Sequence, residues 1–298
     1  METLNLSIFD HNNIKSSYGF NNRFKDVTGI LRKVISTNLN NNINTFNFKV
    51  NNKNLHGDPF PNKVKKLIIK YKHHQKEETV EIKENNNIII NIIYPENIIF
   101  KKDIDKLKKE FNYYNISKIF GKGPTFKIIP KEENELRGAI NQASNMIDGV
   151  DIICMNDRHN IYKINNSVYK RLKYLIIPEY LHIDQKFSKD GHFLKILDYL
   201  KDKFNGKIIV YNLLTSPKKN DLYISMETAI SSANNLFEFI SKYTNIKDIN
   251  TYGIGINTKD NYHKLFTGNG TYDNTSIDRI LKNLNIIKKK CDINLNIY

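Results

Sequence analysis

The chain has 298 residues, enough for one large domain or two ordinary ones. Its two cysteines form neither a CxxC pair nor a Cys/His spacing of the zinc type, which argues against a disulfide framework and a zinc module. Lys and Arg number 46 against 31 Asp and Glu, a formal charge of +15 that would suit a polyanion. Lys, Asn and Ile are nevertheless over-represented along the whole chain, as in NNNIIINII and NLNIIKKK, the composition an AT-rich virus, protist or bacterium writes. Arginine, the better reader of phosphates and bases, is rare beside lysine, so no specific nucleic-acid partner is expected.

The opening METLNLSIFD has no basic-then-apolar signal segment, and the longest apolar runs, such as IIINIIY, fall far short of the roughly 20 residues of a membrane span. A cytoplasmic protein without a transmembrane segment is expected. Residues 1–97 read as a β-sandwich-like module: LNLSIF, NTFNFKV, VKKLIIKY, ETVEIKE and NIIINIIY are short β-favouring runs between Asn, Gly and Pro clusters. Helical periodicity is scarce there, apart from a turn expected in 27–35. His56 and Asp58 could be read as a metal or acid/base pair, but Gly-Asp-Pro is a standard turn composition and the turn is the favoured reading. His73 and His74 read as part of a solvated hairpin.

The words Tyr18-Gly19, Asp26-Val27-Thr28 and Asn54-Leu55-His56-Gly57-Asp58-Pro59-Phe60-Pro61, followed by VKKLIIKY, resemble the β-rich domain at the C-terminus of mitochondrial DnaJ-like proteins. The resemblance covers about residues 4–93 and includes no J-domain. It implies a docking module with a protein or glycan partner, and no chemistry.

From residue 98 the pattern changes to alternating helices and strands. KKDIDKLKKEFNYY reads as a helix, ISKIFG as a strand, KEENELRGAINQASNMI as a helix, and VDIICMN and LKYLIIPEY as buried strands. DGHFLKILDYLKDKFNG is an amphipathic helix, KIIVYNLL a strand, LYISMETAISSANNLFEFISKY a helix, INTYGIGIN a strand, SIDRILKNLNIIKKK a helix and INLNIY a last strand. This predicts a Rossmann-like, mostly parallel α/β domain over 98–298. Ligands of such sheets lie outside the carboxyl ends of the strands, near a topological switch point.

That rule gathers Gly121, Lys122, Gly123, Pro124 and Thr125 after one strand, Asn156 and Asp157 after another, and Gly253 at the end of a later one. A glycine pair at a strand end lets backbone N–H groups approach a phosphate. It equally makes a plain turn, and the loop has neither the six-position dinucleotide fingerprint nor a P-loop's Lys-Ser/Thr ending. Ser225 and Thr228, expected at a helix start, suit N-capping and contact with an anionic ligand alike.

In their order, Gly121-Lys122-Gly123-Pro124-Thr125, Met155-Asn156-Asp157, Thr228-Ala229-Ile230 and Thr251-Tyr252-Gly253-Ile254-Gly255 resemble the motifs of sialyltransferase-like glycosyltransferases and the related MptE-like family, over about residues 115–298. The resemblance implies inverting transfer of a sugar from a nucleotide donor, CMP-sialic acid or a related one, to a glycan acceptor. Gly121, Gly123, Thr125 and Asn156 would hold the nucleotide, with Ser225 and Thr228 lining the cleft. No cofactor or metal would be required beyond the sugar nucleotide as co-substrate.

The family's general base is a histidine, and His263 lies in about that region without matching residue for residue; it is a catalytic base or a surface loop histidine. The family's aspartate after Tyr-Gly-Ile is Gly255 here, and Asn269 stands near where a histidine is expected. His182, with Asp184 to orient it, is a second candidate for the cleft, and His159 could complement a phosphate. Tyr223 and Tyr211 are candidate phenolic donors to a leaving phosphate. Asp157 has no second carboxylate to share a metal with. Two further readings stand beside transfer: a catalytically silent carbohydrate- or protein-binding scaffold, and a nucleotide-dependent pyrophosphokinase-type transferase.

Overall fold

The computed structural model describes residues 2–8, 13–40, 43–73, 76–122, 126–156, 158–178, 192–213, 224–226, 231–254 and 274–298. The chain divides into two compact units, Met1–Glu96 and Asn97–Tyr298. It is a mixed α/β protein with one large parallel sheet and two small sheets. Among the described residues no helix is long and apolar enough to cross a membrane.

The first unit runs β1 (Glu2–Ser7), β2 (Lys15–Phe20), β3 (Arg23–Asp26), α1 (Thr28–Asn40), β4 (Thr45–Lys49), β5 (Lys66–His73), β6 (Lys76–Lys83) and β7 (Asn87–Ile93). β7 is the centre of a three-stranded sheet, parallel to β1 and antiparallel to β4. The other sheet, β3-β2-β5-β6, is antiparallel. Period-two alternation buries Leu4 and Leu6, Ile88, Ile90 and Ile92, and Leu67 and Ile69.

α1 corrects the expectation of an all-β module with only a turn at 27–35. Leu31, Ile35 and Leu39 fall four apart and are all buried, a helical stripe that the β-favouring Val, Ile and Thr around it conceal. The Asp26-Val27-Thr28 word starts this helix: Asp26 Oδ1 accepts from the Thr28 N–H at 2.8 Å, and Thr28 Oγ1 bonds the Ser16 main chain. Gly-Asp-Pro makes a turn. Asp58 Oδ1 accepts from the Phe60 N–H at 2.9 Å and from the buried Lys65 ammonium at 2.8 Å, with Glu84 3.3 Å from the same ammonium. His56 is exposed and in the left-handed region. Among the described residues no cluster of His, Cys, Asp and Glu could hold a metal ion.

The second unit runs β8 (Ile98–Ile99), α2 (Ile104–Phe111), β9 (Ile116–Phe120), β10 (Glu135–Ile140), β11 (Ile152–Cys154), α3 (Arg158–Ile161), α4 (Asn166–Tyr169), β12 (Tyr174–Pro178), α5 (His192–Leu200), β13 (Lys207–Leu213), β14 (Ile224–Met226), α6 (Ser232–Tyr243), β15 (Asp248–Tyr252), α7 (Asn274–Cys291) and β16 (Asn294–Ile297). The strand order is β14-β13-β12-β11-β10-β9-β15-β16, and every pairing is parallel. From β9 the chain winds outward strand by strand to β14, then returns to the opposite side of β9 with β15. The switch point therefore lies between β9 and β15. β8 and β14 share one edge of β13, β8 beside Ile208 and Ile209 and β14 beside 211–213.

One face of the sheet packs Ile119, Leu136, Ile152, Ile176, Ile209 and Tyr211 into a core with Leu107 and Phe111 of α2, Leu236 and Ile240 of α6, and Leu284 and Ile287 of α7. The alternating positions Ile153, Leu175, Ile177, Ile208 and Val210 are buried as well, as expected of a parallel sheet covered on both sides.

Two predicted helices are corrected. Within 131–147 the chain forms β10 and a short 3-10 turn, Asn141–Asn145. Leu136, Ala139 and Ile140 imitate helical spacing, but all six residues of β10 are buried and its charges are held in pairs. Arg137 Nε donates to Glu135 at 2.6 Å, Lys118 lies 3.1 Å from Glu135 and also pairs Glu132, and Asp151 accepts from the Arg137 N–H at 3.0 Å. Likewise the segment expected as one helix from Leu222 to Tyr243 contains β14 at Ile224–Met226, and α6 begins only at Ser232.

Candidate functional site

At the switch point the carboxyl ends of β9 and β15 meet through two glycines. The Gly121 N–H donates to the Tyr252 carbonyl at 2.9 Å. A Cβ on Gly121 would stand 2.5 Å from the Gly253 carbonyl oxygen; one on Gly253 would stand 2.5 Å from the Gly121 oxygen and 2.8 Å from Phe126 Cβ. Gly253 also has φ +68°. This mutual approach requires glycine at both positions whether or not a phosphate binds there. Beside them Lys122 is half-buried, its Nζ 3.5 Å from Gln142 Oε1, and Gln142 Nε2 donates to Asn160 Oδ1 at 3.0 Å.

Further along the same edge lies a network of amides and hydroxyls. Asn141 follows β10 in the left-handed region, φ 51°, which asparagine tolerates better than most residues. Asn156 follows β11, and its backbone N–H donates to Ser232 Oγ at 3.1 Å; that hydroxyl donates to Asn141 Oδ1 at 3.2 Å. The Asn156 side-chain oxygen accepts from the Tyr211 hydroxyl at 2.9 Å and from Asn235 Nδ2 at 2.8 Å, and the same Nδ2 lies 2.5 Å from the Tyr211 oxygen. Ser231 caps α6, its Oγ accepting the Asn234 N–H at 3.2 Å and donating to Asn234 Oδ1 at 2.7 Å.

The opening of α6 is polar and yet buried. Ser232, Asn234 and Asn235 are all within the interior, and among the described residues Asn235 Oδ1 has no hydrogen-bond partner. Leaving a buried acceptor unpaired costs about 1–3 kcal/mol, and Ser16 Oγ, Arg32 Nε, Asn134 Oδ1 and Arg137 Nη2 are in the same condition elsewhere. Cys154, below Asn156 on β11, is fully buried, and burial pushes its thiol far up; it is no nucleophile.

Of the residues singled out in the sequence, Gly121 and Gly253 are brought into contact, and Asn156 and Tyr211 belong to one network. Lys122 stands beside the glycines. Ser225 is on β14 rather than at a helix start, so it caps nothing; its carbonyl accepts from the Tyr243 hydroxyl at 3.1 Å. His159 is exposed on α3. Gly123, Pro124, Thr125, Asp157, His182, Asp184, Tyr223, Thr228, Gly255, His263 and Asn269 lie outside the described residues.

Asn141, Ser232 and Asn235 are the members that sequence reasoning missed. The available signal was the polar run Ser231-Ser232-Ala233-Asn234-Asn235 directly before the apolar Leu236 and Phe237. Comparison of the chain with protein-family models, with curated proteins and with solved structures gave no match.

Proposed function

We propose that the second unit binds a sugar nucleotide at the carboxyl edge of its parallel sheet and transfers the sugar, with inversion, to a glycan acceptor, as in sialyltransferase-like glycosyltransferases. The observation that carries this reading is the interlocked set Asn141, Asn156, Tyr211, Ser232 and Asn235 at the strand ends, next to the switch point where such sheets take ligands. Neutral amides and hydroxyls suit ribose, base and sugar groups, and Lys122 on the glycine side suits a phosphate. CMP-sialic acid or a related donor follows from the resemblance of the motifs.

In such a transfer an acceptor hydroxyl attacks the anomeric carbon, the bond from that carbon to the nucleotide oxygen breaks, and a base takes the hydroxyl proton. His263 is the base proposed from the sequence, with Tyr223 and His182 as further catalytic candidates, and Gly123, Thr125 and Thr228 as further nucleotide contacts. The first unit is proposed to dock a protein or glycan partner.

The test is thermal unfolding of the full chain with CMP, UDP, GDP and ATP, with and without magnesium. A ligand at 100 times its dissociation constant adds about 2.7 kcal/mol to the native state, a clear rise in Tm. Selective stabilisation by CMP or a diphosphate nucleotide is the expected result. No response to any nucleotide from a folded sample replaces this reading with the binding scaffold, and magnesium-dependent consumption of ATP replaces it with pyrophosphoryl transfer.

A further inference from the structure

Helix α1 carries two apolar stripes. Leu31, Ile35 and Leu39 face the interior of the first unit, and Ile30 and Val34, one position earlier in each turn, stay half-buried beside them. Those two, with Gly29 and Lys33 of the same helix and His56 of the turn at 51–57, line a groove of about 460 Å3, a size that takes a small ligand or a few side chains. The wall that carries His56 is well held. In that turn the Gly57 N–H donates to the Asn52 carbonyl at 2.8 Å and the Leu55 N–H to the Asn51 carbonyl at 3.1 Å, with Leu55 fully buried. On the helix side a Cβ added at Gly29 would meet nothing within 4 Å, so the space above it is open.

The charge of the helix wall has one sign. α1 contains Arg32 and Lys33 and no acidic residue, and its first turn adds the positive end of the helix dipole. The Lys25 ammonium lies 3.2 Å from the His56 carbonyl. The acids nearest in sequence are already held: Asp26 accepts from the Thr28 N–H, and Asp58 from the Phe60 N–H and the Lys65 ammonium. A floor of Ile30 and Val34 gives the hydroxyls of a glycan no partner, whereas it accepts a leucine or phenylalanine side chain.

We infer that this groove docks a peptide segment of acidic and apolar composition, with a large apolar side chain seated on Ile30 and Val34 and a carboxylate held by Lys33 and the start of α1. The inference rests on the reading of the first unit as a docking module, names its partner as a peptide, and is independent of the nucleotide reading of the second unit.

The test selects a random peptide library displayed on phage against the full-length natural chain. The recovered peptides are then synthesised and titrated calorimetrically against that chain, Lys33→Glu and Val34→Asp. They are expected to be rich in Asp and Glu with Leu, Ile or Phe among them, and to bind Lys33→Glu about tenfold more weakly than the natural chain, as for a charge pair at an interface. That difference should shrink at about 1 M salt, where exposed charges are screened. Val34→Asp should abolish measurable binding; because Lys33 is exposed, Lys33→Glu keeps the test if Val34→Asp does not fold.

Peptides that bind the natural chain and both variants equally leave the docking reading standing and overturn the groove. A recovered set that is basic or uncharged overturns the inference as well. No enrichment on a folded bait overturns the peptide partner and the groove together, whatever nucleotide binds the second unit. Sedimentation of the natural chain covers the remaining occupant: a dimer that Lys33→Glu dissociates assigns the groove to a second copy and overturns the inference.

Discussion

Gly121 and Gly253 show how one residue type can be read correctly for place and incompletely for cause. Their position at strand ends was legible from short apolar runs ending in glycine. That each fills the space the other's Cβ would need is a relation between residues 132 positions apart in the chain, which local pattern does not contain. Gly253→Ala should destabilise the second unit by about 2 kcal/mol or more, because the new methyl meets a carbonyl and the backbone is held at positive φ. Gly121→Ala should cost nearly as much, and chemical denaturation of the two variants checks both. A phosphate-cradle role alone predicts normal stability with lost nucleotide response.

The cysteines give a second test at this scale: a thiol reagent added to the native protein should modify the half-buried Cys291 and spare Cys154 until the chain unfolds. The asparagines of the site were illegible for a simpler reason. In a chain written so richly in asparagine, Asn141 and Asn235 do not stand out by residue type from the many others.

Among the elements, β10 and α6 carry the sharpest lessons. In β10, Leu136, Ala139 and Ile140 imitate helical spacing, whereas the strand is buried on both faces with Glu135 and Arg137 paired inside it. Burial by itself would raise the Glu135 carboxyl, but the hydrogen bonds from Arg137, the Glu132 backbone and Lys118 hold it below the usual carboxylate range. Its contribution to stability is therefore fully present above the unfolded value of about 4.3 and is lost as pH falls through the lower folded value. Urea unfolding midpoints measured from pH 7 down to pH 3 should fall at the acid end in the natural chain, and fall less steeply in Glu135→Gln.

For α6, the helix itself was legible from its apolar spacing, but not its beginning, since SMETAI looks as helical as the residues after it. Ser231→Ala removes the cap and should cost about 1 kcal/mol; Ser225→Ala, on β14, should not affect the start of the helix. Amide hydrogen exchange across 232–236 distinguishes the two.

For the whole molecule, the alternation of helices and strands after residue 98 announced a parallel sheet, and the eight-strand path with its switch point carries that class. Strand order was not written locally: β9 comes early in its unit and sits inside the sheet only because β15 and β16 later add to its other side. Every described member of the candidate site belongs to Asn97–Tyr298. Leu67→Ala, emptying a fully buried position of β5, should therefore lower the stability of the first unit by about 2–5 kcal/mol and leave the nucleotide-induced protection of 141–156 unchanged. Hydrogen exchange resolved along the sequence checks this, the loss of protection being expected within residues 2–96.

The divided edge of β13 has a consequence for the order of events during synthesis. Ile98 and Ile99 leave the ribosome early, but the strand they pair with emerges roughly a hundred residues later, a long loop to close before any contact rewards it. The first unit can complete its own sheets while those two isoleucines wait, and the seam they close is among the last pairings that the emerging second unit can make before β14 seals the rest of the same edge.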